Sequence, residues 1–206
     1  ICRDVVPTAA AATAEQFVAD IAGRIHAMAV NHRLMAVGIG APNGNYFNGT
    51  IEFAPNLPWK GVIRLAEMFR ERLRVPAFLT NDANAAAIGE MYFGSAKDIR
   101  DFIFITLGTG LGSGIVSGGK LIYGHDGFAG EIGHTIIFQD GRPCGCGRKG
   151  CLEQYCSATG IVKTYLELFR KQSAITKEVE SVTAKTIFNL ALRSEEHTSE
   201  LQSRLH

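Results

Sequence analysis

No run of apolar residues in this chain reaches the ~18 that a membrane-spanning helix needs, and the first residues show no charged segment leading into a short apolar one. The expectation is a cytoplasmic protein with no membrane partner. Massed charge of one sign is missing as well. The chain has 21 Lys and Arg against 20 Asp and Glu, a formal net charge of +1, and its basic residues are scattered. That leaves no field strong enough to hold nucleic acid or anionic lipid, so no nucleic-acid partner is expected and small-molecule chemistry is. Cysteine is scarce and poorly distributed for a disulfide framework: Cys2 stands alone, while Cys144, Cys146, Cys151 and Cys156 fall within thirteen residues. Thiols clustered like this in a chain of cytosolic character are more often metal ligands than bridges. No internal repeat occurs.

What is present is globular composition, with 46% hydrophobic residues over 206 positions, enough for one good core or two small ones. Thr13 and Gln16 form a capping box ahead of Phe17, Ile21, Ile25 and Met28, which recur at helical spacing and predict a helix of about five turns. The apolar run Leu34 to Ile39 predicts a buried strand delivering the loop that follows it, and Asn48-Gly49 predicts a hairpin. Val62 to Leu73 has helical spacing and ends before Pro76. Ala77 to Thr80 predicts a second short strand, running into Asn81-Asp82 and an alanine-rich helix. This alternation implies an α/β layer. Asp101 to Leu107, Ile115-Val116 and Leu121 to Tyr123 predict strands joined by glycine turns, and Ser157 to Lys171 and Thr183 to Leu192 predict helices. A composition shift near Gly94 places a domain boundary there. The expected division is 1–94, 95–192 and a polar stretch 193–206, which reads as translated sequencing-adapter sequence rather than native chain.

His134, Cys144, Cys146 and Cys151 give His-x9-Cys-x-Cys-x4-Cys, with Gly145, Gly147 and Gly150 supplying the tight turns that let three sulfurs converge. Four such ligands close a tetrahedron suited to structural zinc, and Arg142, Arg148 and Lys149 can offset the net negative charge of three thiolates. His125 is an alternative fourth ligand, and Cys156 is expected to be a small buried residue at a helix start. Between two strands, Gly108-Thr109-Gly110-Leu111-Gly112 offers unobstructed backbone N–H groups and a hydroxyl suited to a polyphosphate, although a ligand-free glycine hairpin would look the same. Gly114 to Lys120 has P-loop spacing, but Leu121 stands where the Mg²⁺-binding hydroxyl belongs, so it is not one. Asp82 lies just past a strand's carboxyl end, where open α/β sheets place ligands; it is either a helix cap or a base. Glu131 and His134 lie three apart, and Glu153 follows the last clustered cysteine by two. A metal-pinned loop would hold these three rigidly, which suits a polyhydroxylated ligand.

Leu107-Gly-Thr-Gly-Leu-Gly112, Gly130-Glu-Ile-Gly-His134 and Cys144-Gly-Cys-Gly-Arg-Lys-Gly-Cys-Leu-Glu153 together resemble the ROK family of bacterial sugar kinases and sugar-responsive repressors, over about residues 35–159. The resemblance implies an actin-like ATPase (ribonuclease H-like) two-domain α/β fold, incomplete here at both ends, with ATP, Mg²⁺ and Zn²⁺ as cofactors. It implies phosphorylation of a hexose, with glucose to glucose 6-phosphate the expected reaction, and a homo-oligomer is the expected assembly. Carried onto matching positions, Asp82 is the catalytic base, and Asn81, Asp82, Glu131, His134 and Glu153 bind the sugar, His134 sharing its ring between zinc and sugar. Gly108, Thr109, Gly110 and Gly112 bind ATP phosphates. The loop Ala41 to Asn45 departs from the family's Pro-Gly by Asn43, so no sugar contact is assigned to Gly44 or Asn56. The alternative is a sugar-responsive repressor whose helix-turn-helix lies upstream of this segment. Because the family's first phosphate loop and adenosine segment are not found in the sequence, the chain by itself is expected to be an incompetent kinase.

Overall fold

The computed structural model describes residues 2–8, 11–54, 57–172 and 182–203. They form two compact units, one of residues 1–105 and 113–130, the other of 106–112 and 131–206. None of the described helices is long and apolar enough to cross a membrane.

The first unit opens with α1 (Ala14–Met28), where the Thr13 hydroxyl accepts from Gln16 N at 3.2 Å as the capping box requires. The helix is nearer four turns than five, because Ala29 N closes onto Ile25 O and His26 O. Its face Ala14, Val18 and Ala22 is buried. Strand β1 (Val37–Ala41) is followed by a small antiparallel sheet of β2 (Gly44–Asn45), β3 (Thr50–Glu52) and β4 (Val62–Ile63). Asn43 turns the chain between β1 and β2 in left-handed geometry, φ 50°, and its side-chain amide donates to Glu52 O at 2.9 Å. The Asn48-Gly49 hairpin forms, with Gly49 at φ 67° beside Ala66. The helix expected from Val62 begins only at Leu65, because Val62 and Ile63 pair with Glu52 and Ile51; two β-branched residues at the start of a helical period join the sheet instead. Helix α2 (Leu65–Leu73) ends at Arg74, φ 57°, just before Pro76.

Strand β5 (Ala77–Asn81) runs parallel to β1 in the register Val37↔Ala77 to Ala41↔Asn81, and feeds directly into α3 (Asp82–Phe93). The core assembled from Val18, Ala22, Ala41, Ile51, Leu65, Phe69, Leu73 and Leu79 holds these layers together. Each large aliphatic or aromatic side chain so buried contributes about 1.5–3 kcal/mol. The sheet of β6 (Phe102–Leu107), β7 (Leu111–Ser117) and β8 (Lys120–Leu121) follows, with Gly118 and Gly119 at φ 59° and 77° making its second turn. Asp101 accepts from the Ser117 hydroxyl and Gly118 N, and the Gly118 bond in particular draws its carboxyl below the usual range. The compact units do not divide at Gly94 as the composition shift suggests. Gly114 of β7 lies so close to α3 that a Cβ there would be 2.7 Å from Ala87 Cβ, and this contact groups 113–130 with the first unit.

In the second unit, the 3-10 turn Ile132–His134 and the bridges Ile136↔Cys151 and Pro143↔Lys149 are the ordered backbone before α4 (Glu153–Cys156), α5 (Ala158–Gln172) and α6 (Ala184–Ser203). Ser157, almost fully buried, caps α5 through Gly160 N at 3.0 Å. Helix α6 starts after Thr183 as expected but runs past Leu192, since residues 193–203 contain neither Gly nor Pro to stop it.

Candidate functional site

At the end of β5, Asn81 has extended backbone, φ −61° and ψ 147°, and its Oδ1 accepts from Ala83 N at 2.8 Å and Asn84 N at 3.3 Å. That is N-cap geometry, so Asn81 and not Asp82 supplies the cap. Asp82 is the first helical residue and is exposed, its Oδ1 2.9 Å from Ala83 N. Gly40 lets β1 approach this corner: a Cβ there would be 3.1 Å from Ala85 Cβ and 3.5 Å from Asp82 Cα. Gly44 is also pressed against β5, facing the Thr80 carbonyl, which accounts for its identity without a ligand. Asn56 lies outside the described residues.

In the second unit the ligand atoms of His134, Cys144, Cys146 and Cys151 all lie within 4.8 Å of one another. Cys144 Sγ is 3.5 Å from His134 Nδ1, and Cys146 Sγ is 3.7 Å from Cys151 Sγ. Zinc–sulfur and zinc–nitrogen bonds of about 2.3 and 2.0 Å in a tetrahedron set ligand atoms roughly 3.5–3.8 Å apart, so these donors fit the ion. Cys144 and Cys151 are buried and Cys146 is exposed. The Cys146 thiol is drawn down to about 6, first by the Arg148 backbone N–H and then by its side chain, whereas burial above all pushes Cys151 up to about 11. Of the three cations expected to offset thiolate charge, Arg148 does so. Arg142 is engaged elsewhere: its guanidinium donates to Gln154 O at 2.6 Å, Thr164 Oγ1 at 3.0 Å and Glu167 Oε2 at 2.6 Å, and stacks 4.5 Å over Tyr155. His125, the alternative ligand, is not in the cluster; its Nε2 stands 3.7 Å from Asp126. Cys156 is half-buried at the end of α4, not at a helix start.

The 3-10 turn brings Glu131 and His134 together, with Glu131 Oε2 4.0 Å from His134 Nε2. The imidazole therefore presents Nδ1 to the thiols and Nε2 to the carboxylate side. Glu153 opens α4 and reaches the glycine loop, its Oε2 accepting from Leu111 N at 3.1 Å while its Oε1 lies 3.7 Å from Cys144 Sγ. Gly108 and Thr109 are exposed, and their carbonyls accept from Ala158 N at 3.0 Å and Thr159 Oγ1 at 2.7 Å, which fastens the loop to the start of α5. Glu131, His134, Glu153, the cysteines and Gly108 to Gly112 thus belong to one unit, and Asn81 and Asp82 to the other. Sequence reasoning missed the role of Arg142 and the grip on Leu111. The signal for the first was an Arg flanked by the Gly and Pro of a tight loop, but its partners lie up to 25 residues away.

Comparison with known proteins adds a lineage. The model of the ROK family matches residues 2–206. The glucokinase of Streptomyces coelicolor is 47% identical over 154 residues, 73% of this chain and 48% of that protein. A putative xylose repressor from Caldicellulosiruptor sp. is 37% identical over 165 residues, 78% of this chain and 41% of the repressor. The solved structure of a ROK family glucokinase from Streptomyces griseus, in complex with glucose and AMPPNP, superposes with a TM-score of 0.68 at 37% identity, covering 89% of this chain and 61% of that one. The chain spans about half the length of the curated relatives it matches. Its mixed α/β architecture is that of the actin-like ATPase fold shared by ROK sugar kinases. With a family match along nearly its whole length and the metal-ligand cluster and glycine loop in place, this chain belongs to the ROK family.

Proposed function

We propose that the whole protein phosphorylates a hexose at the expense of ATP, converting glucose to glucose 6-phosphate, with Asp82 as general base. The observation that carries this reading is at the end of β5. Because Asn81 caps α3, the Asp82 carboxylate is left exposed at the helix N-terminus. The attacking sugar hydroxyl gives its proton to Asp82 as its oxygen bonds to the γ-phosphoryl group and the bond to the β-phosphate oxygen breaks in line. Asn81, Glu131, His134 through Nε2, and Glu153 hold the sugar hydroxyls, and the Gly108 to Gly112 turn holds phosphate oxygens.

Zinc, held by His134 Nδ1 and the thiolates of Cys144, Cys146 and Cys151, would take no part in the reaction and would fix the orientation of the His134 ring. Mg²⁺ bound with ATP would neutralise phosphate charge. An ATP-consuming protein with free thiols at a metal centre belongs in the reducing cytoplasm. The relatives named as repressors favour a second reading, a sugar sensor without turnover. The exposed glycine loop argues for the kinase, since a sensor needs the sugar site but not the phosphate site.

The test is Asp82→Asn in the zinc-loaded protein. The expected result is a kcat about 10²–10⁴-fold lower with glucose affinity little changed. A fall smaller than about tenfold removes Asp82 from the role. Glucose binding by the unmodified whole protein, with no ATP-dependent product, would instead establish the sensor.

A further inference from the structure

The space that a side chain at position 110 would need is taken by a carboxylate. A Cβ built on Gly110 would collide with Glu153 Oε2 and lie 3.3 Å from Glu153 Cδ, whereas one on Gly108 would meet nothing within 4 Å. The next residue, Leu111, donates its N–H to the same Glu153 Oε2 at 3.1 Å. Its carbonyl is approached by Gly133, in the 3-10 turn between Glu131 and His134, so closely that a Cβ on Gly133 would overlap it. Leu111 itself is buried, 7% exposed, which holds this peptide in place. One peptide of the glycine loop is therefore packed against the elements that carry Glu153, Glu131 and His134.

We propose that Gly110 is a positioning residue for the sugar site: its missing side chain makes the space in which the Glu153 carboxylate is held against Leu111 N, so the phosphate loop sets the aim of a sugar-reading group before any nucleotide binds. The inference rests on the reading of Glu153 as a sugar ligand. Gly110 does not have positive φ, so alanine is permitted there by the backbone. The atom in the way is the end of a flexible side chain, so Gly110→Ala moves Glu153 rather than unfolding the loop. Losing one hydrogen bond between a charged group and a hydroxyl lowers affinity about tenfold or more.

The experiment is a double-mutant cycle on the zinc-loaded protein, with glucose titrated calorimetrically in the absence of nucleotide and zinc content measured on each variant. Gly110→Ala is expected to raise the glucose Kd about tenfold or more at unchanged zinc content. Glu153→Ala should do the same, and adding Gly110→Ala to Glu153→Ala should change nothing further. If Glu153→Ala leaves glucose affinity intact, the reading of Glu153 as a sugar ligand falls and this inference with it. If Glu153→Ala weakens binding and Gly110→Ala does not, or if Gly110→Ala weakens it equally without the Glu153 carboxylate, the coupling alone is overturned.

Discussion

Cys146 and Cys151 stand 3.7 Å apart yet are shifted in opposite directions, because one is exposed beside Arg148 and the other is fully buried. For Cys146 the folded state favours the thiolate. The stabilisation it draws from Arg148 is complete above its ordinary value of 9.0 and is lost as pH falls through about 6. For Cys151 the folded state favours the thiol. That preference holds below 9.0 and is lost as pH rises through about 11. In zinc-loaded protein at pH 7, where the cluster keeps its folded geometry, iodoacetamide should therefore modify exposed Cys146 well before buried Cys151. Peptide mass mapping of a brief reaction checks this. Equal labelling of the two, or faster labelling of Cys151, would show that exposure and the Arg148 contact do not govern the cluster.

At the scale of elements, α4 is a four-residue helix, too short to hold itself, and it carries Glu153. Arg142 fastens it by donating to Gln154 O and stacking on Tyr155, whose hydroxyl in turn accepts from Arg142 N at 2.9 Å. The Arg142 side chain is 15% exposed, and only a planar fork reaches Gln154 O, Thr164 and Glu167 together. Arg142→Lys should cost about 1–3 kcal/mol of stability, read as a lower denaturant midpoint, while Arg148→Lys should leave the midpoint nearly unchanged. Equal midpoints for Arg142→Lys and the unmodified protein would refute the clamp. What was legible in the sequence at this scale was local. The Thr13–Gln16 cap, the Gly118-Gly119 turn and the converging cysteines each complete their geometry within about a dozen residues. Strand β4 was not legible, because Val62 and Ile63 keep the helical period and pair for tertiary reasons. Nor was the bond from Leu111 N to Glu153, which joins residues 42 apart. Which of Asn81 and Asp82 caps α3 was not legible either, because both residue types are common caps and only the bond from Ala83 N to Asn81 Oδ1 distinguishes them.

At the scale of the molecule, the two units are held together by different physics. The described apolar core runs from Val18 to Leu79, entirely in the first unit. Among the described residues 106–112 and 131–203, the buried hydrophobic positions are Leu111, Cys144 and Cys151, and two of those three belong to the His/Cys cluster that could hold a metal ion. From Glu131 to Leu152 the backbone has a 3-10 turn and isolated bridges but no helix or strand of its own. A segment with so little apolar burial and so little regular structure would draw its order from a zinc cross-link, since for a zinc cluster the binding free energy is in large part folding free energy. Chelation should therefore act on one unit and spare the other. After dialysis against 1,10-phenanthroline, amides of Ile137, Cys144 and Gly150, which donate to backbone carbonyls within this segment, should lose their hydrogen-exchange protection. Amides in β1, β5 and α2 should keep theirs, because their protection comes from the apolar core. Zn²⁺ should restore the lost protection and Mg²⁺ should not, since a hard ion prefers oxygen to thiolate. Protection of residues 134–152 that survives complete metal removal would mean that the loop is folded by its own contacts, Arg142 foremost. Loss that spread equally to residues 37–81 would mean that the two units unfold as one.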